Sequence, residues 1–365
     1  MSDRGNIRRL NVSRNAPLHI LILLLASSLA GLGPARAAGN ANADSAPSRP
    51  RVVIVQDDNA TEAFEPNSAI VRALVQRGVT NLTGQADLAV AWRTLVRTQD
   101  VVGIKVFSAP GPQVGTRPSV VAGIVEGLLA AKIPAAHIVI WDRQLADLRQ
   151  GGFGELARRY GVRLAGAVDS GWDQNVFYDS SLLGQLVFGD LEFQKKDEGV
   201  GRKSFVSRLL TTNLTKIINV SPLLNHYSVG VCGNLYSLAL GSVDNTLRFE
   251  GDPGKLAQAV PEIYALPVLG DHVALNIVDA LLCQYQGEHL GRLHDSIALN
   301  QLRFSTDPVA LDVLSVQEIN AQRVRAALLS SLRTNRFDLY RNAALMELGL
   351  ADTNRIDLRT VKNRE

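Results

Sequence analysis

Between residues 51 and 142 short apolar runs alternate with stretches of helical spacing, and this alternation restricts the fold more than any other feature of the chain. Arg51–Gln56 (RVVIVQ), residues 101–107 (VVGIKVF) and 137–141 (HIVIW) read as strands. Between them, residues 67–77 place Ile70, Val71, Leu74 and Val75 on one helical face, and residues 86–97 do the same with Leu88, Trp92, Leu95 and Val96. A further helix is expected over 118–131, started by Pro118. Strands joined by helical crossovers of this length pair in parallel, with helices on both faces. The expectation is an α/β fold with a mostly parallel, doubly wound sheet.

The pattern loosens after residue 150. Helical spacing at 154–160 precedes short strands and turns over 177–193. Buried strands are expected at 215–220 and 273–279. A strand at 297–304 then feeds a helix at 308–319. The sheet should therefore carry irregular insertions and occupy residues 51–320. Residues 321–365 read as a C-terminal helical extension, with Leu339, Leu345, Leu348 and Leu350 at helical spacing. There is no internal repeat.

Residues 1–37 follow a different rule. Arg4, Arg8, Arg9 and Arg14 precede an apolar stretch over 18–32, and Ala35-Arg36-Ala37 supplies small residues around a cleavage site. This is the secretory signal-peptide pattern, and the Arg8-Arg9 pair suggests the twin-arginine route. The apolar stretch is shorter than the ~18–20 residues a membrane-spanning helix needs, so no stable transmembrane span is expected after cleavage. Residues 38–50 (AGNANADSAPSRP) read as a flexible spacer. The expected location is periplasmic or otherwise exported. The leader also explains the charge. Of 38 basic and 35 acidic residues, five and one fall in it, leaving 33 and 34. The basic character is thus a property of the leader, and no nucleic-acid partner is expected.

Cys232 and Cys283 are the only cysteines. They supply neither an iron–sulfur nor a structural zinc signature. In an oxidising compartment they could form one disulfide, or remain two buried thiols. The sequence has no G-x-S-x-G, no H-E-x-x-H and no G-x-G-x-x-G after the first strand. Six histidines are scattered, and His289 and His294 are too badly spaced to share a helical face.

In open parallel sheets ligands bind beyond the carboxyl ends of the strands, so the residues there are the candidates. Lys105 lies inside an apolar run, where an ammonium needs an anion or an exit to water. The loop after it, residues 108–117 (SAPGPQVGTR), leads into a helix start. Gly115, Thr116 and Arg117 could there join Lys105 in holding an anion, or simply make a strand–helix connection. Asp142 and Asp279 end strands and could serve catalysis or cap the next element. Residues 219–240 (NVSPLLNHYSVGVCGNLYSLAL) gather Asn225, His226 and Asn234 around flexible backbone, a setting that suits a site. In residues 305–312 (STDPVALD), Asp307 reads as a helix cap and Asp312 as a residue one turn later, both secondary candidates for ligand contact.

Taken together, VVGIKVF with its Gly/Pro loop and T-R-P, HIVIWD, KIINVSPLLNHYSVGVCGNLYSLALG, NIVDAL and STDPVALD resemble the family named domain of unknown function 362. They occur in the family's order over roughly residues 51–320. The resemblance implies a central α/β domain, with Lys105, Thr116, Asp142, Asp279, Asp307 and Asp312 at matching positions. Many relatives carry a ferredoxin-like iron–sulfur module. This chain lacks the cysteines for it, so the stand-alone form without a cluster is expected. Two departures stand out. The family's K-x-H reads Leu224-Asn225-His226 here, and its K-N reads Gly233-Asn234.

Two functions follow as expectations. One is an exported enzyme acting on a small anionic or carbonyl substrate, with His226 as acid/base tuned by Asp142 or Asp279, or with these three holding a divalent metal. The other is a non-catalytic cell-envelope binding protein that has lost the two lysines. Convergence of Lys105, Asp142, His226 and Asp279 in one cleft favours the enzyme. Dispersal favours the binder.

Overall fold

The computed structural model describes residues 49–195, 197–288, 291–326 and 337–362. The leader, the spacer up to residue 48, His289 and parts of the C-terminal region lie outside the described residues. Strand β1 is Arg51–Gln56. A small hairpin of β2 (Thr61–Glu62) and β3 (Glu65–Pro66) leads to α1 (Ser68–Thr83) and α2 (Leu88–Arg93). Then follow β4 (Val102–Val106), α3 (Pro118–Ala130), β5 (Ile138–Asp142), α4 (Leu145–Gln150), α5 (Phe153–Tyr160) and β6 (Arg163–Gly166). A separate antiparallel pair comes next, β7 (Trp172–Gln185) with β8 (Val200–Ser207). The chain continues through β9 (Lys216–His226), β10 (Gly230–Val231), α6 (Asn234–Ser242), α7 (Pro253–Tyr264), β11 (Val273–Gln284) and β12 (Ser296–Ser305). It finishes with α8 (Pro308–Arg325), α9 (Asp338–Leu345) and β13 (Asp357–Lys362).

Local chemistry accounts for the helix ends. The side chain of Asn67 accepts the first free N–H groups of α1, and Gly84 ends that helix in the left-handed region. Asp87, Asp252 and Asp307 cap α2, α7 and α8 in the same way. Pro253 and Pro308 stand at first helical positions, where a missing N–H costs nothing.

The main sheet runs β13-β1-β12-β11-β9-β4-β5-β6, with β10 added to the end of β9. From β11 to β6 every neighbour is parallel, and β12 runs antiparallel to both β11 and β1. Alternate strand residues supply two cores. Val102, Ile104, Ile138, Ile140, Ile218 and Val220 pack with α1, α2, α3 and α5. Val139, Trp141, Ile217 and Val278 pack with α6, α7, α8 and α9. Helices thus cover both faces, as a buried parallel sheet requires. After β4 the chain moves to β5 through α3; after β9, the other neighbour of β4, it moves to β11 through α6 and α7. The strand order therefore reverses between β4 and β9, and in open sheets of this kind ligands bind at the carboxyl ends near such a reversal.

The early strands fall where the apolar runs place them. Three later features differ. First, β9 does not stop before Pro222 but continues to His226. A register shift between Asp279 and Cys283 of β11 lies opposite Pro222 and Leu223, and proline is tolerated at such an irregularity. Second, the short strands expected over 177–193 are largely one fourteen-residue strand, β7. Third, the C-terminal region does not end as helix. Its last described segment, β13, pairs in parallel with β1 and completes one edge of the main sheet.

Both cysteines are free and buried. Cys283 pairs in register with Leu223 on one side of β9, while the Cys232 N–H bonds to Leu224 O on the other side. Two strand spacings, about 9–10 Å, exceed the ~7 Å that a disulfide bridges. Burial raises the Cys283 thiol to about 12 and pushes Cys232 up as well.

Candidate functional site

Where the cross-strand pattern should be apolar, a buried polar row crosses the sheet. Lys105 of β4, Asn219 of β9, Asn276 of β11 and Ser305 of β12 are consecutive register partners, and all four are fully buried. Asn219 Nδ2 donates to the Asn234 carbonyl (2.8 Å) and to Asn276 Oδ1 (3.3 Å). Asn276 Nδ2 reaches Thr306 O (3.4 Å), and Ser305 Oγ donates to Arg51 O (2.7 Å). The row thereby fastens β9 and β11 to the starts of α6 and α8.

Lys105 finds the anion its position demands. Its Nζ donates to Asp142 Oδ1 (2.8 Å), Val106 O (2.6 Å) and Ser237 Oγ of α6 (3.1 Å), so all three N–H groups are used. Burial pulls the ammonium below its ordinary value, and the Asp142 charge opposes that shift. Asp142 also accepts from Ser108 N (2.7 Å), Ser108 Oγ (2.7 Å) and Arg143 N (2.8 Å). The aliphatic stem of Lys105 passes α6 at Gly241, where a Cβ would stand 2.5 Å from Lys105 Cε.

The glycine-rich loop after β4 is tied mainly to its own chain. Thr116 Oγ1 donates to Val220 O (2.8 Å) and accepts from Phe107 N (3.0 Å). Gly115 is squeezed between two carbonyls: its Cβ would lie 2.7 Å from both Gly111 O and Phe107 O. Arg117 begins α3 and is bound to Asp279 of β11, through its backbone N–H to Oδ2 and through Nη1 to Oδ1, each at 2.9 Å. Its Nη2 donates to Gln113 O (2.7 Å). The anion expected here is thus the protein's own Asp279 carboxylate, which docks β11 onto the start of α3. The Lys105–Asp142 pair, by contrast, lies against α6.

Asn234 and the helix behind it are held by Asp312 of α8. Its carboxylate accepts from Asn234 N (2.7 Å), Asn234 Nδ2 (3.2 Å) and Leu235 N (2.9 Å), capping α6 from another helix. Gly233 leaves room for it, since a Cβ there would fall 2.3 Å from Oδ1. Burial raises the Asp312 carboxyl to about 7, against those donated bonds. Asp307 caps α8 through Ala310 N and also accepts from Leu350 N. Asn225 Oδ1 accepts from Glu288 N (3.1 Å).

His226 is half-buried at the end of β9. Its Nδ1 accepts from Ser228 N (3.1 Å), and its ring packs on Tyr236 of α6 at 4.6 Å. His226, Asp142 and Asp279 therefore have separate commitments, and among the described residues no group of three or more His, Cys, Asp and Glu is placed to hold a metal ion.

Beside the Lys105–Asp142 pair lies a half-open cavity of ≈ 130 Å³. Phe107, Tyr236 and Leu240 supply apolar wall. Arg143, Asp147 and Glu250 supply charge, with Lys105, Asp142, Ser237 and Gly241 at its base. Of the residues singled out in the sequence, the structure brings Lys105 and Asp142 to this cavity, with His226 touching its wall through Tyr236. Ser108, Arg143, Asp147, Tyr236, Ser237 and Glu250 were not singled out. Arg143 could have been, because it directly follows the strand-end Asp142. The α6 residues carry no such signal, because their place depends on how α6 crosses β4.

The sequence model of the family described as domain of unknown function (DUF362) matches residues 102–317. No curated protein sequence matches the chain. A crystal structure of a Thermotoga maritima protein aligns at a TM-score of 0.33 and 12% identity. The alignment covers 60% of this chain and about half, 51%, of that one.

Proposed function

The chain belongs to the DUF362 family, and from that premise we propose that it is an exported binding protein which holds a small polar molecule in the cavity beside Lys105 and Asp142 without turning it over. One observation carries this reading. Lys105 and Asp142, at the ends of β4 and β5, are already engaged by the scaffold, as is Asp279 within β11, while the space beside the Lys105–Asp142 pair is open. A general base needs a free lone pair within reach of a substrate proton. Asp142 gives its oxygens to four donors, and Asp279 is bound by Arg117. Such networks rigidify a pocket and orient its walls. Absence of the two lysines typical of relatives points the same way. Export is supported by the leader pattern of residues 1–37.

The test is a titration of purified protein with a set of small polar molecules, followed by NMR and by product analysis. Saturable binding that disappears in Ala109→Trp, a change at an exposed position on the cavity lining, is expected. Binding indifferent to that variant removes the cavity from the reading. Chemical conversion of a bound molecule removes its non-catalytic part.

A further inference from the structure

The cavity's walls carry two charged groups that the fold itself does not use. Asp147, in the first turn of α4, is half-buried, and its carboxylate has no hydrogen-bond or ionic partner among the described residues. Burial, then the neighbouring Asp142 charge, raises its pKa from the ordinary value. A partly desolvated carboxylate without a partner is costly and marks a place where a cation belongs. Glu250 stands exposed on the same lining.

Arg143 is the complementary group. Its Nη1 donates to Leu240 O (2.7 Å) and Val243 O (2.9 Å), which fixes the guanidinium against the end of α6. Nε and Nη2 have no protein acceptor among the described residues, although Arg143 lines the cavity. A fixed guanidinium edge with unused N–H groups is the geometry that takes a carboxylate by two parallel bonds.

Charge and size then limit the occupant. Lys105 and Asp142 neutralise one another, so the lining presents one cation, Arg143, and two anions, Asp147 and Glu250. A simple anion satisfies Arg143 but meets two carboxylates. A simple cation satisfies Asp147 and leaves the guanidinium edge empty. A molecule carrying both charges close together meets both demands. At ~10–15 Å³ per water-sized site the ≈ 130 Å³ cavity holds about 9–13 non-hydrogen atoms, fewer than a whole nucleotide or disaccharide carries. Between the charged groups Phe107, Tyr236 and Leu240 offer room for a small apolar substituent.

We infer that the cavity binds a small α-amino acid as its zwitterion, the carboxylate on Arg143 and the ammonium on Asp147 with Glu250 at the rim. This rests on the cavity being the ligand site, as proposed above. The experiment titrates purified protein with L-alanine, acetate and methylammonium, each against the parent, Asp147→Asn and Ala109→Trp. Alanine should bind best and lose about tenfold or more in Asp147→Asn, as loss of a charge-assisted bond requires. Acetate should bind weakly and be no weaker in that variant. Asp147→Asn removes a carboxylate with no protein partner, so its melting temperature should not fall. Alanine binding that is unchanged in Asp147→Asn, or no tighter than acetate, overturns the zwitterion while Ala109-dependent binding of another probe keeps the cavity. Ala109-independent binding of all three overturns both.

Discussion

Replacing Lys105 with Met tests the central physical claim about this molecule, that a buried ion pair organises the carboxyl ends of β4 and β5. Methionine keeps most of the stem that packs beside Gly241 and Trp141. It removes three hydrogen bonds and the charge facing Asp142. Asp142 keeps its bonds from Ser108 and Arg143 but loses its counter-ion at 4% exposure. Breaking one side of a buried pair costs about 3–5 kcal/mol. Against a total of about 5–15 kcal/mol, that is a large share of the stability, and in a domain of this size it lowers the melting temperature by about 4–7 °C. Urea unfolding of the purified protein measures the cost. Adding Asp142→Asn should recover part of it, because the uncompensated charge is then gone, and the double-mutant cycle should show coupling. A cost below ~1 kcal/mol for Lys105→Met, or a double mutant no more stable than the sum of the singles, refutes the argument.

Gly241→Ala should destabilise the protein by about 1–3 kcal/mol despite a helix-propensity gain of about 1 kcal/mol, because the new Cβ falls on the tethered end of Lys105; thermal melts give the sign, and a stabilised variant contradicts the packing described. Asp312 has its folded pKa raised to about 7 from 3.8 by burial, so its contribution is complete below the unfolded value and is lost as pH rises through about 7. The stability difference between Asp312→Asn and parent should therefore change between pH 4 and 8 and level off on either side, which urea midpoints across that range check. Cys232 and Cys283 should resist a thiol reagent in the folded protein and both react in denaturant, and any disulfide found in exported protein contradicts their placement. Protein recovered from the exported fraction should begin at Ala38, as intact mass reads, and Arg8→Lys with Arg9→Lys should block export if the twin-arginine route is used.

The sequence by itself determined the class of fold and the first half of its strand plan. RVVIVQ, VVGIKVF and HIVIW are short, apolar and β-branched, and each is followed by a stretch of helical period, so local pattern and tertiary demand agree. It also marked Lys105 as needing an anion, since no solvent reaches the middle of such a run. Tertiary structure decided which anion. Asp142 is 37 residues away, and only the parallel register of β4 and β5 brings it within reach. The same holds for Asp312, whose spacing from Asp307 suggested a helix face while its partner is the start of α6, 78 residues distant. Pro222 made β9 look finished, and a shift of register in β11, invisible to local pattern, lets it continue. β13 is polar and partly exposed, as an edge strand should be, so its residues carry no periodicity that announces pairing with β1. The cavity is the clearest case: its walls come from five segments, β4 with the loop after it, the end of β5, the start of α4, α6 and the turn before α7, and side chains so far apart in sequence acquire a common chemistry only when the sheet places β4 beside β5 and α6 over the strand ends.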